Sequence, residues 1–355
     1  MIIIIITIHL LMYLHGGNMS FWSRFSLFVV SFLGLVSFTH TGLADELVVY
    51  SGRGDSLVKP VMEAFTQKTG IKVILHNAQS TELLNKLQLE GGKTQADLYL
   101  SNDAGNLQLG SDLGLFRPLP AKTVEVIRPN LRAPDNSWVG LSARARVLVV
   151  NSQNHNADFI KSVFDLADPR LKGRLAITNS SNESFMAGTT VYMHAAGKDK
   201  TRKWLQGMKD NVGAEVFDKH NKIVSEVANG KKDVGLVNHY YIYRHLAETP
   251  DAPIRIVFPD QGEGGMGVAW NVAGIAISKY TVKNDLAEKL VEFLVSEQGQ
   301  KIFADANREY PARSGVPAAH EVASADAYKI ADVPMSELGR QRDATIDLIE
   351  DVGMP

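Results

Sequence analysis

Residues 46–100 read ELVVYSGRGDSLVKPVMEAFTQKTGIKVILHNAQSTELLNKLQLEGGKTQADLYL, and this stretch decides the fold of the chain. Short apolar runs alternate in it with segments whose apolar residues recur at the spacing of one helix face. The pattern predicts strand 46–50, helix 57–69, strand 71–75, helix 80–90 and strand 96–100. A βαβαβ order of this kind predicts a parallel sheet whose end loops open into one crevice.

A second series of strands and helices follows from residue 145. The predicted elements are strand 145–151, helix 163–167, strand 174–178, a helix that starts at 180–183 and continues to 195, helix 201–209, strand 214–217, helix 221–229, strand 233–237, strand 268–277 and a largely helical segment 324–355. Strand 268–277 could return to the first half of the chain. The expected class is therefore α/β, and the length and this return strand predict two lobes between which the chain crosses twice.

Two adjacent tyrosines, Tyr240 and Tyr241, follow the apolar strand 233–237. Neighbouring side chains of a strand point to opposite faces, so both could reach one ion only in a loop or in the first turn of a helix. A phenol titrates near pH ~10 and becomes an anionic ligand at neutral pH only beside a strong Lewis acid. Ferric ion, which is small, hard and oxygen-seeking, is the candidate. The alternative is aromatic packing at the end of a buried strand.

An export signal is predicted before the mature chain. Residues 20–24 include one basic residue, residues 25–38 are mostly apolar, and Gly42-Leu43-Ala44 is a small-x-small cleavage site. We expect the mature protein to begin at Asp45 and to work in the periplasm. Met19 is the expected translation start, because the earlier apolar run 2–14 is too short to span a bilayer and residues 16–18 resemble a translated ribosome-binding site.

Composition restricts the class of protein further. The chain has no cysteine, which excludes a lipid-anchoring Cys, disulfides and thiolate metal sites. Its 37 basic and 39 acidic residues leave a mature charge of about −3 once Arg24 is removed, so nothing favours nucleic acid as a partner. No HExxH, Cys-His cluster or GxSxG is present, and an enzyme is not expected.

With these motifs together, the chain resembles the ferric-iron-binding substrate-binding proteins of periplasmic ABC importers. The likeness covers almost the whole mature chain and is carried by VVYSGRGDSL (48–57), VFDLADPRLKGRLAITNSSNESF (163–185), NHYYIYR (238–244) and NREYPARSGV (307–316). It implies lobe 1 from 45–145 with 270–317 and lobe 2 from 146–269 with 318–355. It also implies that each lobe holds a mixed sheet flanked by helices and that two crossover strands join the lobes, with the ligand cleft between them. A monomeric binding protein of this kind delivers ferric ion to an inner-membrane permease driven by a separate ATPase.

Carried over residue by residue, the family's tyrosine ligands fall on Tyr240 and Tyr241. Three other ligand positions of the family hold Gly54, Asn102 and Val150 here, so the rest of the coordination sphere differs. Two phenolates leave about one charge of Fe(3+) to neutralise, which a bidentate anion such as carbonate could supply. Asp55 is a further candidate carboxylate ligand, with a helix N-cap role for it or Ser56 as the alternative.

Candidate residues for the anion or ligand cleft are Arg53, Asn102, Asp103, Arg144, Ser181, Asn182, Glu183, Asn221 and Asn238. Arg53 could clamp a planar oxyanion or form a salt bridge, and one of Arg144 and Arg146 should face the cleft unless both stabilise a hinge. Asn102 and Asp103 could instead cap a helix. Residues 181–183 match a helix start that binds an anion, although Glu183 could complete a capping box with Ser180. His239 is expected to play a structural or outer-shell role.

The expected function is therefore periplasmic binding of ferric iron through the tyrosine pair, with a synergistic anion. The alternative is the same kind of importer component loaded with another oxyanion or small polar solute, such as a phosphonate, sulfate, thiamine or a polyamine.

Overall fold

A computed structural model describes residues 45–355, and the predicted export signal and translation start lie outside the described residues. Ten strands form one mixed sheet within this range. In chain order they are β1 (Glu46–Ser51), β2 (Lys72–Asn77), β3 (Leu98–Ser101), β4 (Phe116–Arg117), β5 (Val139–Asn151), β6 (Leu175–Ala176), β7 (Val234–Asn238), β8 (Ile254–Val257), β9 (Trp270–Ser278) and β10 (Tyr310–Pro311). The main path of the sheet is β2-β1-β3-β9-β5-β7-β6.

Helices connect and cover these strands. They are α1 (Asp55–Thr69), α2 (Ser80–Glu90), α3 (Ala104–Asp112), α4 (Ala121–Val124), α5 (Glu183–Ala196), α6 (Lys198–Val212), α7 (His220–Ala228), α8 (His239–Glu248), α9 (Asn284–Leu294), α10 (Glu297–Asn307), α11 (Glu337–Arg340) and α12 (Arg342–Val352). The predicted helix 163–167 is a short 3-10 helix. The α/β class with a mixed sheet is confirmed.

The βαβαβ unit read from residues 46–100 is present. β1 pairs in parallel with β2 on one side and with β3 on the other. Helix α1 begins at Asp55, and its N-cap is Gly54 without a side-chain hydrogen bond. The N-cap alternative for Asp55 and Ser56 is therefore wrong, because the helix starts earlier than the apolar spacing indicated.

Strand β5 is the longest strand and changes partners along its length. Residues 139–145 pair with β9, whereas residues 146–151 pair with β7 and, from Leu148 onward, with β8. Its predicted start at 145 is six residues late, because Ser142 and Arg144 interrupt the apolar pattern although both are buried. The change of partner falls between Ala145 and Arg146; the division into two lobes there remains a prediction.

Two further local predictions are wrong. No strand forms over 214–217: only Phe217 is paired, through a bridge with Thr178. The capping box of Ser180 with Glu183 is also absent, since Asn182 is the N-cap of α5 and Ser180 donates instead to the carbonyl of Met354. The predicted C-terminal helix is broken, with α11 and α12 following a non-helical segment that contains one 3-10 turn at Ala325–Ala327.

Candidate functional site

The tyrosine pair lies in the first turn of α8, directly after β7 ends at Asn238. This is the break from strand to helix that lets consecutive side chains lie on one side. The two ring centroids are 4.5 Å apart and the rings are tilted by 38°. Tyr240 is only 5% exposed, and Tyr241 is partly buried. Two adjacent phenols are therefore held beside each other in a largely dry position.

Asn238 connects the tyrosines to the start of α5. Its side-chain nitrogen donates to the hydroxyl of Tyr240 (3.3 Å) and to the hydroxyl of Ser184 (3.1 Å). Its side-chain oxygen accepts from Nη1 of Arg146 (3.3 Å). The phenol of Tyr240, the first turn of α5 and the guanidinium of Arg146 therefore meet around one amide. Sequence reasoning had singled out Asn238 but had not considered Ser184.

Two arginines of β5 supply positive charge here. Burial, which disfavours the charged form, lowers the pKa of Arg146 to about 10; nearby Arg144 acts in the same direction, while Tyr192, Tyr240 and Tyr241 oppose the shift. Several buried polar atoms of this group have no hydrogen-bond partner within residues 45–355: Arg144 Nε and Nη1, Arg146 Nε and Nη2, both ring nitrogens of His220, and the hydroxyl of Tyr192. Buried donors without acceptors are costly, so this arrangement favours a ligand rich in oxygen.

Tyr192 has no sequence signal that marks it for this group, whereas His220 directly precedes the predicted cleft residue Asn221. His220 is 5.1 Å from Tyr241 between ring centroids. Burial, followed by the charges of Arg146 and Arg144, lowers the pKa of His220 well below its usual range. The imidazole is therefore neutral at physiological pH. Arg144 and Arg146 are the charged groups that oppose its protonation.

The phenol of Tyr241 is difficult to ionise without help. Burial raises its pKa above the usual range, and the neighbouring Tyr240 raises it further. Arg244, whose guanidinium lies 5.0 Å from the ring centroid of Tyr240 and 6.0 Å from that of Tyr241, lowers it, as does Arg144. Only a strong competing cation would remove this proton near neutral pH.

His239 makes two backbone contacts that match its expected structural role. Its Nδ1 accepts from the N–H of Ala145 (3.2 Å), which leaves the proton on Nε2, and this nitrogen donates to the carbonyl of Arg308 (2.8 Å). Burial lowers the pKa of His239 to about 4, so the ring is neutral. The ring also stacks on Tyr310, with centroids 4.6 Å apart. His239 therefore attaches the start of α8 to β5 and to the turn before β10.

We expect His239→Leu to lower the free energy of unfolding by about 1–3 kcal/mol, because it removes two hydrogen bonds and leaves backbone groups unpaired. Denaturant unfolding of the mature chain measures this change. The variant should keep any visible band of bound iron at the wild-type wavelength, since His239 contributes no ligand. A shifted band in a folded variant would contradict the structural role.

Arg53 forms a buried salt bridge with Glu309 in this structure. Its Nη2 lies 2.7 Å and 2.8 Å from the two carboxylate oxygens, and its Nη1 donates to Ser142 (2.7 Å). Ser142 in turn donates to Glu309 (2.8 Å), and both charged side chains are 1% exposed. The geometry is that of the salt-bridge alternative, and an anion-clamping role for Arg53 stays a prediction. Sequence reasoning missed Glu309, although it belongs to the quoted NREYPARSGV motif.

Asp55 lies at the start of α1, in contact with Lys59 and Asn77. Its carboxylate is 2.6 Å from Lys59 Nζ and accepts from the side chain of Asn77. Hydrogen bonding to Lys59 lowers the pKa of Asp55. No contact joins it to Tyr240 or Tyr241 among the contacts described for residues 45–355, and its assignment as a ligand stays a prediction.

The loop after β3 meets the start of α5. Asn102 donates from its side chain to Glu183 (3.3 Å), and its carbonyl accepts from Nη2 of Arg144. Asp103 is the N-cap of α3 and accepts from the N–H of Asn106 (3.1 Å), as the capping alternative proposed. Asn102, Arg144 and Glu183 are thus brought together.

The remaining predicted cleft residues make local contacts. Asn182 caps α5 by accepting from the N–H of Ser184 (3.0 Å). The exposed Ser181 donates to Asn179 (2.9 Å), and Asn221 accepts from the N–H of Lys222 (3.0 Å) at an exposed position of α7. Their roles in anion binding stay predictions.

Two kinds of feature, a carboxylate or histidine metal cluster and a membrane-spanning helix, are absent from the described residues 45–355. In residues 45–355, no cluster of three or more His, Cys, Asp and Glu side chains has an arrangement that could hold a metal ion. Over the same residues, the helices include none that is both long and apolar enough to cross a bilayer.

Comparison with known proteins gives the family. Residues 61–330 match the model of the bacterial extracellular solute-binding protein family. The chain is 33% identical over 305 residues to Iron uptake protein A1 of Synechocystis, and the match covers 84% of each protein. It is 31% identical over 265 residues to the Fe(3+)-binding periplasmic protein of Serratia marcescens, and this match covers 74% of this chain and 77% of that protein. The solved structure of the ferric binding protein from Campylobacter jejuni superposes with a TM-score of 0.80 at 27% identity, covering 87% of this chain and all of the other.

These relatives are named as transport and binding proteins, and the prediction that the chain is not an enzyme is confirmed. The resemblance to the ferric-iron-binding group is confirmed as well. The chain belongs to the bacterial extracellular solute-binding proteins, in the group that includes these iron-binding relatives.

Proposed function

We propose that this protein binds ferric iron in the periplasm through the phenolates of Tyr240 and Tyr241. The observation that carries the proposal is the pair of phenols in the first turn of α8, 4.5 Å apart between ring centroids and largely withdrawn from water. The relatives support the choice of ion, since their names refer to iron uptake and Fe(3+) binding.

The protonation chemistry favours a trivalent ion. Burial and Tyr240 keep the pKa of Tyr241 above its usual range, so the free protein holds this phenol as a neutral hydroxyl. A ferric ion is acidic enough to replace the proton and to gain a hard anionic oxygen in return. Magnesium and calcium are also hard cations, but they are divalent and less acidic and would leave the phenol protonated. The site therefore selects by the cost of deprotonation as well as by donor type.

An anion completes the charge balance in this proposal. Two phenolates neutralise two of the three charges of Fe(3+), and the unpartnered donors of Arg144 and Arg146 within residues 45–355 provide hydrogen bonds for a singly charged oxyanion such as bicarbonate. Asn238 links these arginines to Tyr240. The anion would therefore lie between the arginines and the ion and contact both.

The second candidate function is binding of an oxyanion or small polar solute without metal. The same unpartnered donors favour it, because Arg144, Arg146 and His220 could bind a phosphonate or sulfate directly. In that case the tyrosines would pack against the solute or donate hydrogen bonds. Under either function, we propose that a monomer delivers its cargo to an inner-membrane permease driven by a separate ATPase, as the ABC-importer resemblance implies.

A titration of the metal-free mature chain tests the first candidate. Ferric nitrilotriacetate is added with and without bicarbonate while visible absorption is recorded. We expect a tyrosinate-to-iron charge-transfer band that saturates near one iron per chain and strengthens with bicarbonate. Absence of a band under every anion would reject ferric binding, and calorimetry with sulfate and a phosphonate would then test the second candidate.

A further inference from the structure

Glu183 is a largely buried carboxylate that the proposed iron site does not use. It is the first residue of α5 and directly follows Asn182, the N-cap. Its Oε2 accepts from the side chain of Asn102, which follows β3 and belongs to a distant part of the sequence. Asp103 and Arg342 line the same small cavity. The carboxylate of Glu183 is therefore placed between the start of α5 and the loop after β3.

The start of α5 has few hydrogen-bond donors left for an incoming anion. A helix start normally presents four free N–H groups, which is why it attracts oxyanions. Here the side chain of Asn182 accepts from Ser184 N–H (3.0 Å). The carbonyl of Asn182 accepts from the N–H of Phe185 (2.9 Å), and the N–H of Asn182 donates to the carbonyl of Asn179 (3.2 Å). Three of the four donors are thus already occupied.

Arg144 adds unpartnered donors near the start of α5, and Glu183 is close to this guanidinium. Within the described range, Nε and Nη1 of Arg144 are buried without a partner. Its Nη2 donates to the carbonyl of Asn102, the same residue whose side chain donates to Glu183. An anion that binds Arg144 would therefore lie near a second carboxylate. Asp103 and Glu183 face Arg144 and Arg342, so two carboxylates offset part of the positive charge that would attract a multivalent anion.

We propose that Glu183 selects the anion that enters this cleft: it admits singly charged oxyanions, such as bicarbonate or formate, and disfavours doubly and triply charged ones. The proposal rests on the proposed function for its biological meaning, because the selected anion is the one that would accompany the ion. The physical reason is Coulomb repulsion, which grows with each added charge and is weakly screened in a buried site.

The charge of Glu183 depends on pH, so the selection between singly and doubly charged anions should depend on pH as well. Burial, and then the charge of Asp103, raises the pKa of Glu183 to about 7, while Asn102, Arg144 and Arg342 act in the opposite direction. Asp103 faces Glu183 from the start of α3, Arg144 from β5 and Arg342 from α12. The carboxylate is ionised above this pKa and neutral below it, so discrimination against dianions should be strong near pH ~8 and weak near pH ~6.

The experiment uses the mature, metal-free chain and two carboxylate anions of different charge. Formate and oxalate keep one and two charges throughout this pH range. Calorimetry measures their affinities for wild type, Glu183→Gln and Glu297→Gln at matched ionic strength. Glu297 is the matched control because it is also the first residue of a helix, α10, and its side chain is 81% exposed.

We expect Glu183→Gln to raise the affinity for oxalate by roughly tenfold or more near pH ~8, to change that for formate less, and to abolish the pH dependence of the ratio. Glu297→Gln should behave as wild type. An unchanged oxalate-to-formate ratio, or no binding of either anion by a folded Glu183→Gln, would overturn the proposal. Thermal unfolding verifies that each variant is folded.

The failure of this proposal is distinguishable from the failure of iron binding. Anion affinities are measured without iron, so the charge selection is decided by calorimetry alone. The ferric titration is decided by the visible band. A missing band with intact selection for formate over oxalate would reject the iron function and leave Glu183 as a selector in an oxyanion-binding protein.

Discussion

Tyr240→Phe and Tyr241→Phe are each expected to weaken ferric binding by at least about a hundredfold and to remove or displace the charge-transfer band. Loss of an outer-shell partner alone costs metal sites roughly 10- to 100-fold in affinity, and a phenolate that contacts the ion should cost more. Each substitution removes one anionic oxygen while keeping the aromatic ring that packs in the first turn of α8. Competition with a chelator of known affinity, followed by visible absorption, measures the loss.

Tyr243→Phe is the matched control for these variants. Tyr243 lies on the same helix, and its hydroxyl accepts from the backbone N–H of Ala323 (3.0 Å). Removing that hydroxyl should lower stability slightly and leave the band unchanged. If both Tyr240→Phe and Tyr241→Phe kept the wild-type band and affinity, the phenols would not be ligands, and their contact in the structure would be aromatic packing.

Arg53→Met is expected to lower the free energy of unfolding by about 3–5 kcal/mol, because it leaves the carboxylate of Glu309 buried without its partner. Both side chains are 1% exposed and lie 2.7 Å apart. The double variant Arg53→Met with Glu309→Leu removes both charges and should recover most of the loss. Denaturant unfolding of the mature chain measures all three proteins.

Arg170→Met is the exposed control, since Arg170 and Asp168 pair at 2.7 Å with side chains 61% and 27% exposed. Exposed pairs of this kind contribute roughly 0–1 kcal/mol. If Arg53→Met cost no more than Arg170→Met, the buried pair would not be a major source of stability.

The stability difference between wild type and Arg53→Met should change with pH in one direction. Burial acts to raise the pKa of Glu309, but the charge of Arg53 and its hydrogen bonds outweigh burial, and the pKa is lowered overall. A carboxyl with a lowered folded-state pKa contributes stability above its unfolded pKa, near 4.3, and loses it as the pH falls through the folded value. The difference in stability between wild type and Arg53→Met should therefore shrink in acid.

Some parts of the site could be predicted from the sequence, and others could not. The tyrosine pair was apparent because strand and helix periodicities change within a few residues, at the step from Asn238 to His239. The cap of α3 by Asp103 was visible for the same reason, since capping acts over three residues. In contrast, the first half of β5 was not predicted, because the buried polar residues Ser142 and Arg144 interrupt the apolar pattern of the strand.

Local periodicity alone determined the α/β class, the parallel βαβαβ unit and the position of Tyr240 and Tyr241 just after a buried strand; the structure decided that they lie in the first turn of a helix and not in a loop. Only the tertiary structure decided that Arg53 pairs with Glu309, that His220 lies beside Tyr241, and that Glu183 meets Asn102. It also decided that Tyr192 and Tyr240 both lie near Arg146. These contacts join residues separated by tens to hundreds of positions. The spacing of side chains along one element carries no information about which distant element packs against it, so sheet order and burial determine these partners.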